Sequence, residues 1–351
     1  MNLPSLKDKN HEKSRNNFYI ILSLIVVFLT TIFIWFRVSP VPSSFIIRIF
    51  FNADAASTSS AQFKYVDKNI PVTAIKDIKY RNKQDKSSFD IYIPNNAIRD
   101  KRKLPLIIWT HGGAWISGDK SYMSAYFKLL ANEGFVVASL NYALAPDQKY
   151  PYQIHQINDA HKFITENGDS FNIDTTKIVL AGSSAGAQLS AQLATIITNK
   201  SYSEEIEIAP NLKSEQLSAV VLYSGIYDMR KLASAKDISS RIISWGFKTA
   251  SWVYTGEKDP ESDILFQASP ANYLSSRFPA TFISGGNGDA LTNLQSVPFA
   301  EKLTTLNVPV VALFYPKDYE PILKHENQFT FDKDSIQNFQ IMSDFIRNKT
   351  K

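Results

Sequence analysis

Lys177-Ile178-Val179-Leu180-Ala181-Gly182-Ser183-Ser184-Ala185-Gly186 decides how this chain folds. Its first half is a continuous apolar run, and its second half has the form Gly-x-Ser-x-Gly. A helix-prone stretch, Ala185-Gly186-Ala187-Gln188-Leu189-Ser190-Ala191-Gln192-Leu193-Ala194, follows the central serine. Strand, sharp turn and helix in that order lift a central serine off the top of a sheet, with a helix N-terminus behind it. The turn strains its central residue, so small neighbours are needed on both sides of Ser184. Such a motif arises often by chance. A second string, His111-Gly112-Gly113-Ala114-Trp115, lies upstream behind another apolar run, Leu106–Thr110, and makes the pair far more specific.

Working outward, strand and helix candidates alternate. Ile75–Tyr80 and Phe89–Ile93 alternate apolar with polar residues and read as antiparallel or edge strands. Leu106–Thr110, Phe135–Leu140, Ile178–Ala181, Ala219–Tyr223, Thr281–Ser284 and Pro309–Phe314 are continuous apolar runs, the pattern of strands buried on both faces. Helical stretches intervene at Tyr122–Asn132, Tyr152–Glu166, Ala185–Asn199, Ser296–Leu306 and Asp334–Arg347. This order predicts an open, mostly parallel sheet with helices on both faces. Ligands of such sheets bind beyond the carboxyl ends of the strands. The stretches after those ends include His111–Trp115, Gly182–Gly186, Gly285–Asp289 and Tyr315–His325.

A serine hydroxyl needs a base, and the base needs a third group to hold it. The chain has five histidines. His11 lies before the apolar amino-terminal run, His155 and His161 share one helix as surface or packing residues, and His111 opens a string whose backbone matters more than its imidazole. His325, after the last apolar strand, is the candidate base. The acid is expected between serine and histidine. Asp289, directly after a buried strand, is the choice; Asp228 stands at an equivalent strand end as competitor, and Asp263 and Glu257 fall in a cap-like stretch. A tetrahedral oxyanion needs preorganised N–H donors. Gly112 and Gly113 offer them with no Cβ in the way, and Ala185, next after the nucleophile, offers a third. Trp115 is a candidate substrate contact.

These strings resemble the α/β-hydrolase superfamily, specifically the hormone-sensitive-lipase-like esterases and their carboxylesterase relatives. The resemblance runs from about Ile75 to the carboxyl terminus. It extends to Gly118-Asp119-Lys120 and to Leu140-Asn141-Tyr142-Ala143-Leu144-Ala145-Pro146 with Tyr150-Pro151. It implies an α/β-hydrolase fold with an eight-stranded, mostly parallel sheet and a small cap. It also implies Ser184, Asp289 and His325 as triad, and Gly112, Gly113 and Ala185 as oxyanion hole. Departures are Ala114 for the third glycine of the family's HGGG string, Ser183 for a frequent Asp, Ala143 for Arg, and Ala290 for the Pro of Asp-Pro-Leu. His325 lacks the usual following Gly-Phe. The expected activity is hydrolysis of a small or lipid-like carboxylic ester, with no cofactor and no metal. A serine peptidase on the same scaffold and a non-catalytic binding module are the alternatives.

The amino terminus carries a different signal. Residues Phe18–Phe36 are uncharged and apolar, about 28 Å of helix against a hydrocarbon core of about 30 Å. Lys7, Lys9, Lys13 and Arg15 precede the run, while Arg37 and Arg48 follow it, a bias that predicts a cytoplasmic amino terminus and a body outside. A cleaved signal peptide is the alternative, with Ala53-Asp54-Ala55 as cleavage site. The expected division is a tail at 1–17, a membrane helix at 18–36, a linker or cap piece at 37–74 and a catalytic domain at 75–351, with a cap-like insertion at 225–268. Ser44–Phe51 is apolar but too short to cross, and is expected at the interface or docked on the body; a Ser-rich hinge is expected at Ala55–Ala61. The 351 residues contain no cysteine, which excludes disulfides, thiol catalysis and zinc–thiolate sites. A net charge of +5 with scattered lysines gives no nucleic-acid stripe.

Overall fold

The computed structural model describes residues 6–50, 52, 69–82, 85–236, 238 and 240–351. The hinge expected at Ala55–Ala61 and the Ala53-Asp54-Ala55 string lie outside the described residues. Among the described residues, eight strands form one sheet: β1 (Val72–Lys79), β2 (Ser88–Pro94), β3 (Leu104–Thr110), β4 (Val136–Leu140), β5 (Ile173–Ser183), β6 (Leu217–Tyr223), β7 (Thr281–Gly285) and β8 (Val310–Phe314). Their order across the sheet is β1-β2-β4-β3-β5-β6-β7-β8. β2 runs antiparallel to both its neighbours, and every pairing from β4 to β8 is parallel.

The central strands carry continuous apolar runs because each face meets its own helical layer. Alternate side chains point to opposite faces of a strand. Leu106, Ile108, Ile178, Leu180, Val220 and Leu222 therefore join one core. Buried residues of α4 (Tyr152–Glu166), α5 (Ala185–Thr198) and α7 (Val297–Thr305) complete it. Ile107, Trp109, Val179, Ala181, Val221 and Tyr223 face the other core, under α3 (Ser124–Asn132) and α8 (Lys333–Lys349). α5 is buried along its whole length, which explains its small residues and its lack of charge.

Three local expectations need correction. β8 is a sheet edge, so its apolar run is only partly covered and Val311 is exposed. β5 begins at Ile173, five residues before its apolar run, because Ile173 and Asp174 already pair with Leu104 and Pro105 of β3. The helix expected from Ser296 is preceded by a π-turn at Thr292–Ser296.

α1 (Leu6–Val38) contains the apolar stretch Arg15–Val38, long and apolar enough to cross a membrane and with none of its most apolar window buried. After Ser39 and Pro40 a second helix, α2 (Val41–Phe50), begins. It docks on the body: Ser43, Ser44 and Ile47 are buried, and Arg48 donates to the carbonyls of Ile116 and Ala145 at 2.9 and 3.1 Å. Between β6 and β7, the 225–268 stretch folds into short helices at Met229–Ser234 and Asp263–Gln267 flanking α6 (Arg241–Thr255).

Candidate active site

Ser184 sits between the last residue of β5 and the first of α5, with φ 51° and ψ −120°. An L-residue adopts that conformation only when its surroundings impose it. The glycines beside it show what does so. A Cβ on Gly186 would stand 2.0 Å from the Thr110 carbonyl oxygen, and one on Gly182 would stand 2.5 Å from the Gly186 carbonyl. The close approach of β3, β5 and α5 thus admits only hydrogen at both positions. The Ser184 amide is fixed by the Tyr223 carbonyl at 2.8 Å.

The three residues expected to act together do meet. His325 Nε2 lies 3.1 Å from Ser184 Oγ, and His325 Nδ1 lies 2.9 Å from Asp289 Oδ2. The side chains are 36 and 141 residues apart in sequence. The imidazole is about one third exposed while the Asp289 side chain is 3% exposed. A substrate can therefore reach the base, but water cannot displace its acid partner. Burial pushes the Asp289 carboxyl up, but the nearby His325, the Leu291 amide and the Ser224 hydroxyl outweigh it and hold the carboxyl below the usual range. Asp289 is thus an anion able to orient the ring and to stabilise an imidazolium. Asp228, the competitor, is instead the N-cap of the Met229–Ser234 helix, accepting from the Lys231 amide at 3.0 Å.

The HGGAW string wraps against this site. A Cβ on Gly112 would stand 3.1 Å from Ser184 Cβ, so the Gly112 backbone lies beside Ser184. Gly113 has φ 107° and a Cβ there would stand 2.3 Å from the Ser117 carbonyl oxygen. Its own carbonyl is used within the loop, accepting from Ile116 and Ser117 at 3.0 and 2.9 Å. Ala185 opens α5, where the first backbone N–H groups have no partner within the helix.

Trp115 is not where a substrate contact would be. Its side chain is buried, stacked on Tyr254 with centroids 4.4 Å apart, and its Nε1 donates to Gln188 Oε1 at 3.0 Å. Ala114 and Trp115 both have positive φ, 54° and 61°. The Trp115 anchor holds this strained turn in place, which ties Tyr254 of α6 to the loop beside the nucleophile.

Other groups at the site carry no signal of their own in the sequence. Ser224, also at positive φ, accepts from the Glu326 amide at 3.3 Å and bonds Asp289, joining the ends of β6, β7 and the histidine loop. Glu326 is left-handed, and its buried Oε1 lies 2.7 Å from where a Gly112 Cβ would be, with no hydrogen-bond partner among the described residues. His111 stacks on Tyr142 at 4.4 Å, and the Tyr142 hydroxyl donates to the His111 carbonyl at 3.0 Å. Asn141 bridges the loops by donating to Asp119 at 2.8 Å and accepting from the Lys120 amide at 2.7 Å. Here the family resemblance of residues 118–120 and 140–146 becomes physical, since these two segments brace the HGGAW string.

Residues 89–303 match the family model described as BD-FAE. The chain belongs to the BD-FAE family. This places it among the α/β-hydrolases, in the hormone-sensitive-lipase-like esterase group. The BD-FAE match includes Ser184 and Asp289 and ends before His325. The esterase LipC of Mycobacterium tuberculosis is 27% identical over 58% of this chain and 49% of its own length. An acetyl esterase of Salmonella choleraesuis is 23% identical over 66% of this chain and 69% of its own. The chain thus spans about half the length of the mycobacterial relative. Among solved structures, esterase B from Lactobacillus rhamnosis superposes with a TM-score of 0.72 at 21% identity, covering 88% of this chain and 96% of that one, a likeness of fold.

Proposed function

We propose that the chain is a membrane-anchored serine hydrolase that cleaves carboxylic esters through an acyl-Ser184 intermediate. The observation that carries the reading is the continuous hydrogen-bonded series from Ser184 Oγ through both nitrogens of His325 to Asp289, at 3.1 and 2.9 Å. In the first half-reaction His325 Nε2 takes the Ser184 proton as Oγ attacks the ester carbonyl carbon. The carbonyl oxygen becomes an oxyanion, stabilised by the N–H groups of Gly112, Gly113 and Ala185. Asp289 holds the imidazolium through Nδ1. Collapse breaks the bond to the alkoxy oxygen, which leaves as the alcohol with the proton from His325. Water then repeats the sequence on the acyl-enzyme, breaking the bond to Ser184 Oγ, so that the carboxylic acid is released and the free serine is regenerated. Several relatives bear the name esterase, which supports an ester over an amide.

The proposed anchor is the Arg15–Val38 segment, and the basic residues Lys7, Lys9, Lys13 and Arg15 ahead of its apolar run support a cytoplasmic amino terminus with residues 75–351 outside. A fluorophosphonate probe tests the nucleophile: it is expected to label the native chain and not Ser184→Ala. A matched panel of p-nitrophenyl esters and peptide p-nitroanilides then tests the bond. Labelling of the Ser184→Ala chain, or turnover of anilides alone, would overturn the proposal.

A further inference from the structure

We infer that the catalytic edge of the sheet faces the bilayer, so that the enzyme takes its ester from the lipid surface. The inference rests on the anchored-esterase reading above and adds to it an orientation and a substrate class: acyl esters whose chains lie in the membrane.

The anchor is clamped to the edge that carries the chemistry. α2 starts two residues after the apolar helix ends, and Arg48 binds the carbonyls of Ile116 and Ala145. Ile116 lies in the loop that leaves the carboxyl end of β3 with Gly112 and Gly113; Ala145 lies in the loop leaving β4. Both loops open on the same edge as Ser184. A second clamp comes from the cap: Lys258, just past α6 and 3.7 Å above the Trp252 ring, donates its Nζ to the Arg37 carbonyl in the last turn of the apolar helix. The cap, the oxyanion loop and the end of the span are therefore neighbours.

The surfaces left outward on this side are apolar. With Ser43, Ser44 and Ile47 turned into the body, α2 presents Val41, Phe45 and Ile49 at i, i+4 spacing on its outer face, and Phe50 beyond them is 71% exposed. A helix lying in the membrane interface buries such a stripe among acyl chains. At the free end of α6, Ile242 is 80% exposed and Ile243 and Trp245 accompany it, with Arg241 and Lys248 exposed between and beside them. Ile243 and Asp289 line one cleft of about 530 Å³, so this apolar end stands on the Asp289 side of the site. Tryptophan with basic neighbours suits the headgroup boundary. The bilayer is the occupant because the same chain, two residues upstream of α2, is the segment that crosses it.

The test uses the full chain in phosphatidylcholine nanodiscs. The difference in emission between the native chain and Trp245→Phe isolates Trp245 from the other tryptophans. It is expected to fall at least twofold when the lipids carry brominated acyl chains. The double variant Phe45→Ser, Ile49→Ser is expected to hydrolyse disc-embedded 4-methylumbelliferyl oleate at least tenfold more slowly, with 4-methylumbelliferyl acetate turnover within twofold of native. An unquenched Trp245 or an unchanged oleate rate overturns the inference alone. Release of the chain from membranes by carbonate, or absence of any acetate turnover, overturns the anchored-esterase reading together with it.

Discussion

Asp289 shows how one buried side chain governs the reactivity of another. Its carboxylate accepts from the Leu291 amide at 2.9 Å while bonding His325, so its orientation is set by backbone and not by water. Asp289→Asn keeps the shape but presents an amide where an anion is needed. The ring then turns its wrong tautomer to Ser184, and kcat is expected to fall on the order of 10²–10⁴-fold with the fold intact. Ester turnover and circular dichroism of the variant check this; a loss under tenfold would remove Asp289 from the series. That Ser184, Asp289 and His325 come together was legible in the sequence because each follows an apolar run that ends at one edge of a parallel sheet. Ser224 and Glu326 were not. A serine after a strand and a glutamate in a polar loop have no pattern of their own, and their roles exist only because β6, β7 and the histidine loop converge.

At the scale of elements, the Gly112–Trp115 loop is held by a helix far away in sequence. Trp115 spans from a turn of positive φ to Tyr254 of α6 and Gln188 of α5. Trp115→Ala removes the stack and the hydrogen bond and leaves a cavity, at a cost of about 3–5 kcal/mol. The strained turn at Ala114 and Trp115 then relaxes, and the neighbouring Gly112 and Gly113 amides lose their aim. The expected result is a fall in kcat of roughly 10²–10³ with KM little changed, and recovery of most of it by Trp115→Phe, which keeps the stack. A rise in KM alone would instead restore Trp115 as a substrate contact. The sequence placed Trp115 next to the oxyanion string, but burial under α6 is a tertiary fact that adjacency does not encode. The same holds for β8, whose apolar run reads like a central strand although it lies at the sheet edge with Val311 exposed. Hydropathy reports what a segment tolerates, while the order of strands decides what covers it. β5 errs the other way, since the polar Asp174 joins the ladder by pairing with Pro105.

For the molecule as a whole, two buried histidines make stability depend on pH in a calculable direction. Burial lowers His111 to about 4 and His161 to about 3. Both are neutral in the folded chain at neutral pH, and His111 donates its Nδ1 proton to the Gly112 carbonyl at 2.7 Å. In the unfolded chain each takes up a proton near pH 6.5. Folded pKa values below the unfolded ones mean that the stability is fully present above pH 6.5 and is lost as the pH falls towards the folded values. With two protons taken up on unfolding, stability falls by roughly 2–3 kcal/mol per pH unit across the window from about 6 to 4.5. That corresponds to roughly 3–5 °C in Tm per unit for a domain of this size. The Asp289 carboxyl, held below its usual range, extends the loss to still lower pH, because its unfolded form protonates first. Thermal unfolding of the full chain in detergent micelles, followed from pH 7.5 to 4.5, measures the slope. His161→Gln removes one of the two titrating groups without touching the site, so it is expected to halve the slope between pH 6 and 4.5 whatever it does to the absolute Tm. An unchanged slope would mean that His161 takes its proton in the folded chain.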